Sequence, residues 1–236
     1  MLGKCAPAQG AAGVKVGAES FCEIQVPQAV YFCQVKSVTP PLDAAYWQQR
    51  YAAGRDGWDA GGPTPPLRAY FDQLRTAAQP RILIPGAGRA YEAEYLYRAG
   101  FEQVFVADFA PEALGALATR VPYFPAGHLL QADFFGLSND PPYDLIVEQT
   151  FFCALAPVLR PAYAQQCARL LRPGGTLVGL LFDAPFAGAT EPPFGGTAAE
   201  YCAYFAPYFA FRHFETATNS LGPRQGRELF ICLKKS

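Results

Sequence analysis

The sequence predicts an α/β fold: an open, doubly wound sheet, mostly parallel with an antiparallel edge strand, covered by helices on both faces. Three observations carry this. From Arg81 onward, short and almost unbroken apolar runs alternate with helical patterns, the mark of parallel strands buried on both faces. The first run breaks at a Gly-x-Gly turn and the second stops at an acid about twenty residues later, as at the carboxyl edge of such sheets. The last two runs, "YFAFRHFE" and "RELFICL", succeed each other with no helix between them, as an antiparallel pair closing the sheet would.

Each element has a local reason. Residues 1–40 are Gly/Ala-rich at the start and show no clean periodic face, so they read as a flexible or non-native extension. Val38 stands as an alternative start, because a GTG start codon is written as Val in a conceptual extension. The folded domain is expected over 41–236. It opens with an aromatic-rich helix, "LDAAYWQQRYAA", before a Gly/Pro loop. Thr64 is placed to cap a second helix, with prolines in its first turn and Leu67, Tyr70, Phe71 and Leu74 on one face. Strands are expected at 81–85, 103–107, 128–132, 143–148 and 175–182, and helices near 90–99, 111–120 and 161–172. Gly100 ends the first of these helices and "RPGG" the last. A long loop, "FDAPFAGATEPPFGG", then leads to a helix around 197–206.

Bulk properties narrow the class. The 236 residues suffice for one large domain. A formal net charge of -1 gives no electrostatic case for nucleic acid or an anionic membrane. No apolar stretch approaches the roughly 18 residues of a membrane helix, and the start lacks the apolar core of a secretory signal. A cytoplasmic monomer acting on a small molecule is the expectation. Seven cysteines are scattered with no C-x-x-C pair and read as reduced thiols. Two histidines, His128 and His213, stand far apart without companion ligand motifs, so no metal is expected.

The glycine turn points to a nucleoside cofactor. Gly86 and Gly88 follow the first strand directly, but the third fingerprint position is Tyr91, too bulky for the helix–strand contact of a nicotinamide site. S-adenosylmethionine carries no phosphate and needs only backbone access plus an acid for its ribose, and Asp108 closes the second strand in that position. Asp108 is also placed to cap the "PEAL" helix, and one aspartate can do both. After the third strand, "ADFF" offers Asp133 and Phe134 to an adenine, with a plain loop and core role as the alternative. After the fourth, Glu148 and Gln149 either stand over the same crevice or cap the next segment. Cys153, with no histidine nearby in the pattern, reads as a structural thiol.

With these motifs assembled, the chain from about Ala45 onward resembles the thiopurine methyltransferase superfamily, and most of all its branch of thiocyanate, halide and thiol methyltransferases. The matching stretches are "WQQRYAAGRDGWDAGGPTP", "IPGAG", "VADFAPEAL", "ADFF", "YDLIVEQTFFCALAPVLRPAYAQQCARLLRPGGTLVGLLF" and "LGPRQGRE". The resemblance implies a Rossmann-like class I methyltransferase sheet with an N-terminal helical lid. It assigns Trp47, Tyr51 and Trp58 to the methionine-sulfonium end of the cofactor, Gly86 to the first-strand turn, Asp108 to the ribose, and Asp133 with Phe134 to the adenine; Gly88 joins the cofactor site from the Gly-x-Gly turn. Three departures touch the acceptor pocket: Gln149 replaces a tyrosine of the plant-type enzymes, Tyr51 a second tryptophan, and "TAAEY" the prolines after the late "GG".

The expected chemistry is methyl transfer from S-adenosylmethionine to a small soft nucleophile, a thiol, thiocyanate or related sulfur anion. Such nucleophiles are ionised or nearly so near neutral pH, so alignment and water exclusion suffice and no catalytic base is expected. Gln149, Arg160 and Arg224 are acceptor-pocket candidates, with Gln149 also near the cofactor. Arg227 is a further candidate for anion attraction, and Asp59 reads as a turn-former. The alternatives are a non-catalytic S-adenosylmethionine-binding protein and a methyltransferase for a thiopurine-like or halide acceptor.

Overall fold

In the computed structural model the described residues are 42–236 apart from Ala187; the expectations for residues 1–40 and Val38 lie outside them. The strands are β1 (Ile82–Pro85), β2 (Val104–Asp108), β3 (Leu129–Gln131), β4 (Tyr143–Gln149), β5 (Leu171–Phe182), β6 (Phe209–Thr216) and β7 (Glu228–Lys235). They form one sheet in the order β3-β2-β1-β4-β5-β7-β6. The pairs β1–β2, β1–β4, β2–β3 and β4–β5 are parallel, while β7 runs against both β5 and β6. The antiparallel pair therefore stands at the sheet margin as expected, with the reversed strand one place in from the edge.

Helices α1 (Ala44–Ala52), α2 (Pro65–Phe71), α3 (Tyr91–Arg98), α4 (Pro111–Arg120), α5 (Arg160–Leu170) and α6 (Ala198–Phe205) supply the other layers. The sheet divides the core in two, because successive strand residues face opposite sides. One side packs Leu83, Phe105, Ile146, Tyr163, Phe205 and Ile231. The other packs Leu67, Ile84, Leu96, Val106, Leu117 and Val147. Among the described residues no helix is long and apolar enough to cross a membrane.

Two local expectations change. Thr64 occupies the N-cap of α2 but makes no side-chain cap. Its N–H and hydroxyl instead donate to Glu92 Oε1 at 3.1 and 3.4 Å, because the buried Glu92 carboxylate needs donors, whereas Pro65 and Pro66 leave the first turn with fewer N–H groups to cap. "RPGG" does not terminate the helix before it. Leu171 is already extended, with ψ 145°, and pairs with Tyr143. Pro173, which has no N–H for the ladder, lies in the stretch where the register slips between Tyr143 and Leu145. The turn is thus a bulge inside a long β5.

Candidate active site

The chain passes from β1 outward to β2 and β3, then returns so that β4 pairs on the other side of β1. This reversal opens a crevice at the carboxyl ends of β1 and β4. A cavity of about 480 Å³ lies there, within the size range of small-molecule sites.

The floor comes from the first two strands. Gly86 and Gly88 have φ of 55° and 54°, a left-handed conformation that glycine adopts without penalty. The Phe151 ring lies where a Gly86 Cβ would sit, so this glycine also gives room to the wall opposite. The Asp108 carboxylate accepts from Ala110 N at 2.9 Å and Gly88 N at 3.4 Å. It therefore supports the start of α4 as well as facing the cavity. Among the described residues no cation pairs with it, and desolvation pushes its carboxyl up to about 6 despite those hydrogen bonds. Further along this edge, Asp133 accepts from Phe135 N at 2.9 Å and starts a short 3-10 turn. Phe134 is buried, its ring 5.5 Å from Phe151 and 5.3 Å from Tyr163. Asp133, Phe134 and Phe135 all line the cavity.

An aromatic wall faces this floor. Trp58 stands edge-on to both Trp47 and Tyr51, each ring centroid 5.6 Å away, and all three line the cavity. The Tyr51 hydroxyl is raised well above its ordinary value by burial and by the nearby Asp108 charge. Arginines that the sequence did not mark hold this wall in place. Arg89, next to Gly88, bridges Asp56 at 2.5 Å and Asp59 at 2.8 Å. Arg50 lies 5.3 Å over the Trp58 ring and reaches Glu191 of the late loop at 3.5 Å. Asp59 does form the expected turn, accepting from Gly61 N at 2.7 Å.

The far wall is built from the segment after β4, the late loop and Arg224. Thr150 has φ 60°, a conformation that is a genuine outlier for a β-branched residue and concentrates at functional sites. The Cys153 thiol donates to Thr150 O at 3.1 Å. Burial, with Glu148 beside it, pushes that thiol up to about 12, so it stays a protonated wall group. Pro192, Pro193 and Phe182 complete the wall. Arg224 donates to Trp58 O at 2.8 Å and pairs with Glu228 at 3.4 Å, tying the aromatic wall to β7.

Some expected site residues lie elsewhere. Gln149 does not line the cavity. It shares the strand face of Leu145 and Val147, which pack into the core, and its buried Oε1 has no hydrogen-bond partner among the described residues. Glu148 points into the opposite core, where it accepts from Phe152 N at 2.9 Å and Tyr163 Oη at 2.6 Å. Complete burial lifts its carboxyl to about 7. It caps the following segment and does not border the crevice. Arg160 is only 1% exposed and is spent on backbone carbonyls of the late loop. Arg227 is exposed, its guanidinium 5.2 Å over the Phe186 ring. No cluster of His, Cys, Asp or Glu among the described residues could hold a metal.

Known proteins share this architecture. A family model described as thiopurine S-methyltransferase matches residues 42–231. A probable thiol methyltransferase 2 of Arabidopsis thaliana is 32% identical over 197 residues, 80% of this chain and 84% of that one. Thiocyanate methyltransferase 1 of Brassica oleracea is 27% identical over 205 residues, covering 85% and 89%. Among solved structures, the 1,6-didemethyltoxoflavin-N1-methyltransferase of Burkholderia thailandensis superposes with a TM-score of 0.62 at 20% identity, covering 82% and 87%. The chain belongs to the thiopurine S-methyltransferase family, a family of S-adenosylmethionine-dependent enzymes.

Proposed function

We propose that this methyltransferase acts on a small sulfur nucleophile, a thiolate or a related anion such as thiocyanate, that enters the cavity already ionised. The carrying observation is the chemistry of the far wall. Its polar groups are the Thr150 hydroxyl, the Cys153 thiol held at about 12, and the Arg224 guanidinium. None of these accepts a proton near neutral pH. No histidine lines the cavity, and its carboxylates, Asp108 and Asp133, belong to the floor. The acceptor must therefore bring its own negative charge. Arg224 and Arg50, both lining residues, place positive charge along its path.

The floor fits S-adenosylmethionine. A carboxylate whose pKa is raised by desolvation, with two backbone donors and no cation, has lone pairs to spare. The vicinal hydroxyls of a ribose would satisfy them. Asp133, Phe134 and Phe135 would take the adenine, and Gly86 and Gly88 allow close backbone approach. The bound cofactor supplies an electrophilic methyl group on a sulfonium sulfur. Trp47, Tyr51 and Trp58 would surround that cation, each good ring contact contributing about 0.5–2 kcal/mol. Thr150 and Phe151, joining floor to far wall, would orient the acceptor for in-line displacement. The aromatic wall keeps water out.

An acceptor panel tests this. With S-adenosylmethionine, methyl transfer to thiols and thiocyanate should exceed transfer to halides and a thiopurine. Cofactor binding in thermal shift with no turnover of any sulfur acceptor would favour the non-catalytic alternative and sink the proposal.

A further inference from the structure

Arg160 is a buried cation outside the cavity, and its partners say what it does. It opens α5 with 1% exposure. Its two terminal nitrogens fork across consecutive carbonyls, Nη2 to Phe194 O at 2.8 Å and Nη1 to Gly195 O at 3.0 Å. The guanidinium lies 4.9 Å over the Phe152 ring and 5.5 Å over Tyr201, and Glu200 balances its charge from 3.4 Å. Phe194 N in turn donates to Cys153 O at 2.7 Å. The loop residues just before this clamp, Pro192 and Pro193, line the cavity together with Cys153, Ala154 and Leu155. Phe194 and Gly195 are half-buried in an irregular loop, and carbonyls there that lack a backbone partner need donors. A planar fork satisfies two neighbours at once, which a lysine ammonium does not.

We propose that Arg160 is a positioning residue that fixes the Pro192–Pro193 roof and thereby sets the size of the acceptor the enzyme accepts. This rests on the reading of the Cys153–Pro193 end as the acceptor side. Replacing Arg160 loosens the roof without touching the Asp108 floor, so cofactor binding persists while acceptor selection degrades. Charge alone does not rescue it.

The test uses the full chain with Arg160→Lys, Arg160→Met and Pro193→Gly. S-adenosylhomocysteine affinity is measured by calorimetry, and kcat and KM are measured separately for a small thiolate (methanethiol) and a bulky one (thiophenol). For all three variants we expect affinity within about threefold of wild type. The small:bulky kcat/KM ratio should fall about tenfold or more, mainly through the small acceptor's KM. Arg160→Lys and Pro193→Gly combined should be less than additive, since both act on one segment. Arg160→Lys with the wild-type ratio would make Arg160 a plain charge, and parallel losses in cofactor and acceptor binding would make it a plain fold residue. Either overturns the proposal. Pro192 and Pro193 have no N–H, so amide exchange of Thr190, Glu191, Phe194, Gly195 and Gly196 reads the segment without turnover: it should quicken in Arg160→Lys, and an unchanged rate also overturns the proposal. A wild-type enzyme that methylates neither thiolate would instead count against the acceptor reading.

Discussion

Asp108→Asn should make the free enzyme more stable and the complex weaker. The carboxyl titrates near about 6 in the folded chain, against about 3.9 when unfolded, and that gap corresponds to about 3 kcal/mol at full ionisation. Residual solvent contact lowers the figure to about 1–2 kcal/mol. The sign comes from proton binding: between about pH 4 and pH 6 the folded chain holds this proton more tightly than the unfolded one. Stability from this group is therefore present at low pH and lost as pH rises through about 6. The neutral amide carries no such loss. At pH 7.5 the free variant should melt higher than wild type, by about 2–4 °C per kcal/mol for a chain of this size.

Cofactor binding should move the other way. Losing hydrogen bonds to a charged group costs about 1.5–3 kcal/mol, or about tenfold to 150-fold in Kd. Because the ribose is held by the ionised form, wild-type affinity for S-adenosylhomocysteine should be flat above about pH 7 and weaken below about pH 6. The variant's affinity should be flat throughout. Thermal melting of the free proteins and calorimetric titration from pH 5.5 to 8 read both arms. Wild-type affinity in Asp108→Asn, or a wild-type Kd indifferent to pH, would refute the assignment of Asp108 to the cofactor.

The aromatic wall should close as a lid on binding: cleavage at the exposed Arg55 by trypsin should slow when S-adenosylhomocysteine is added. Both of the chain's tryptophans lie in this wall, so intrinsic fluorescence should change as well, and indifference of both signals would make these rings fixed core. Trp58→Ala should lower turnover more than Asp59→Asn, because the ring borders the cavity while the carboxylate acts through Arg89. Removing residues 1–37 should leave melting temperature and cofactor affinity unchanged, in keeping with a family match that starts at residue 42; a drop of many degrees would show that the segment packs.

The fold was legible because its central strands, β1 and β2 above all, are buried on both faces and its helices are punctuated, so periodicity separated them. The cavity floor was legible for a related reason. Gly86, Gly88 and Asp108 sit next to one another at strand ends, and order along the chain becomes position in space. Residues whose role depends on which way a side chain turns were not legible. Gln149 and Glu148 end the same strand, yet alternation sends them to opposite cores and neither borders the cavity. Arg160 looked like an anion-binding group, but the two carbonyls that claim it lie 34 and 35 residues away. The left-handed Thr150, the Phe151 ring packed on Gly86 and the Arg89 bridge to Asp56 likewise arise from tertiary contacts. No local signal announces them.

With no base on the far wall, the acceptor should enter the cavity already ionised. The most direct measurement is kcat/KM against pH for a series of thiols of graded acidity, with S-adenosylmethionine saturating. The rising limb should move with each acceptor's own pKa, about 8.5 for a simple alkyl thiol and lower for more acidic ones, and thiocyanate should show no such limb. A limb fixed at one pH for every acceptor, thiocyanate included, would reveal a titrating group of the protein and contradict the claim.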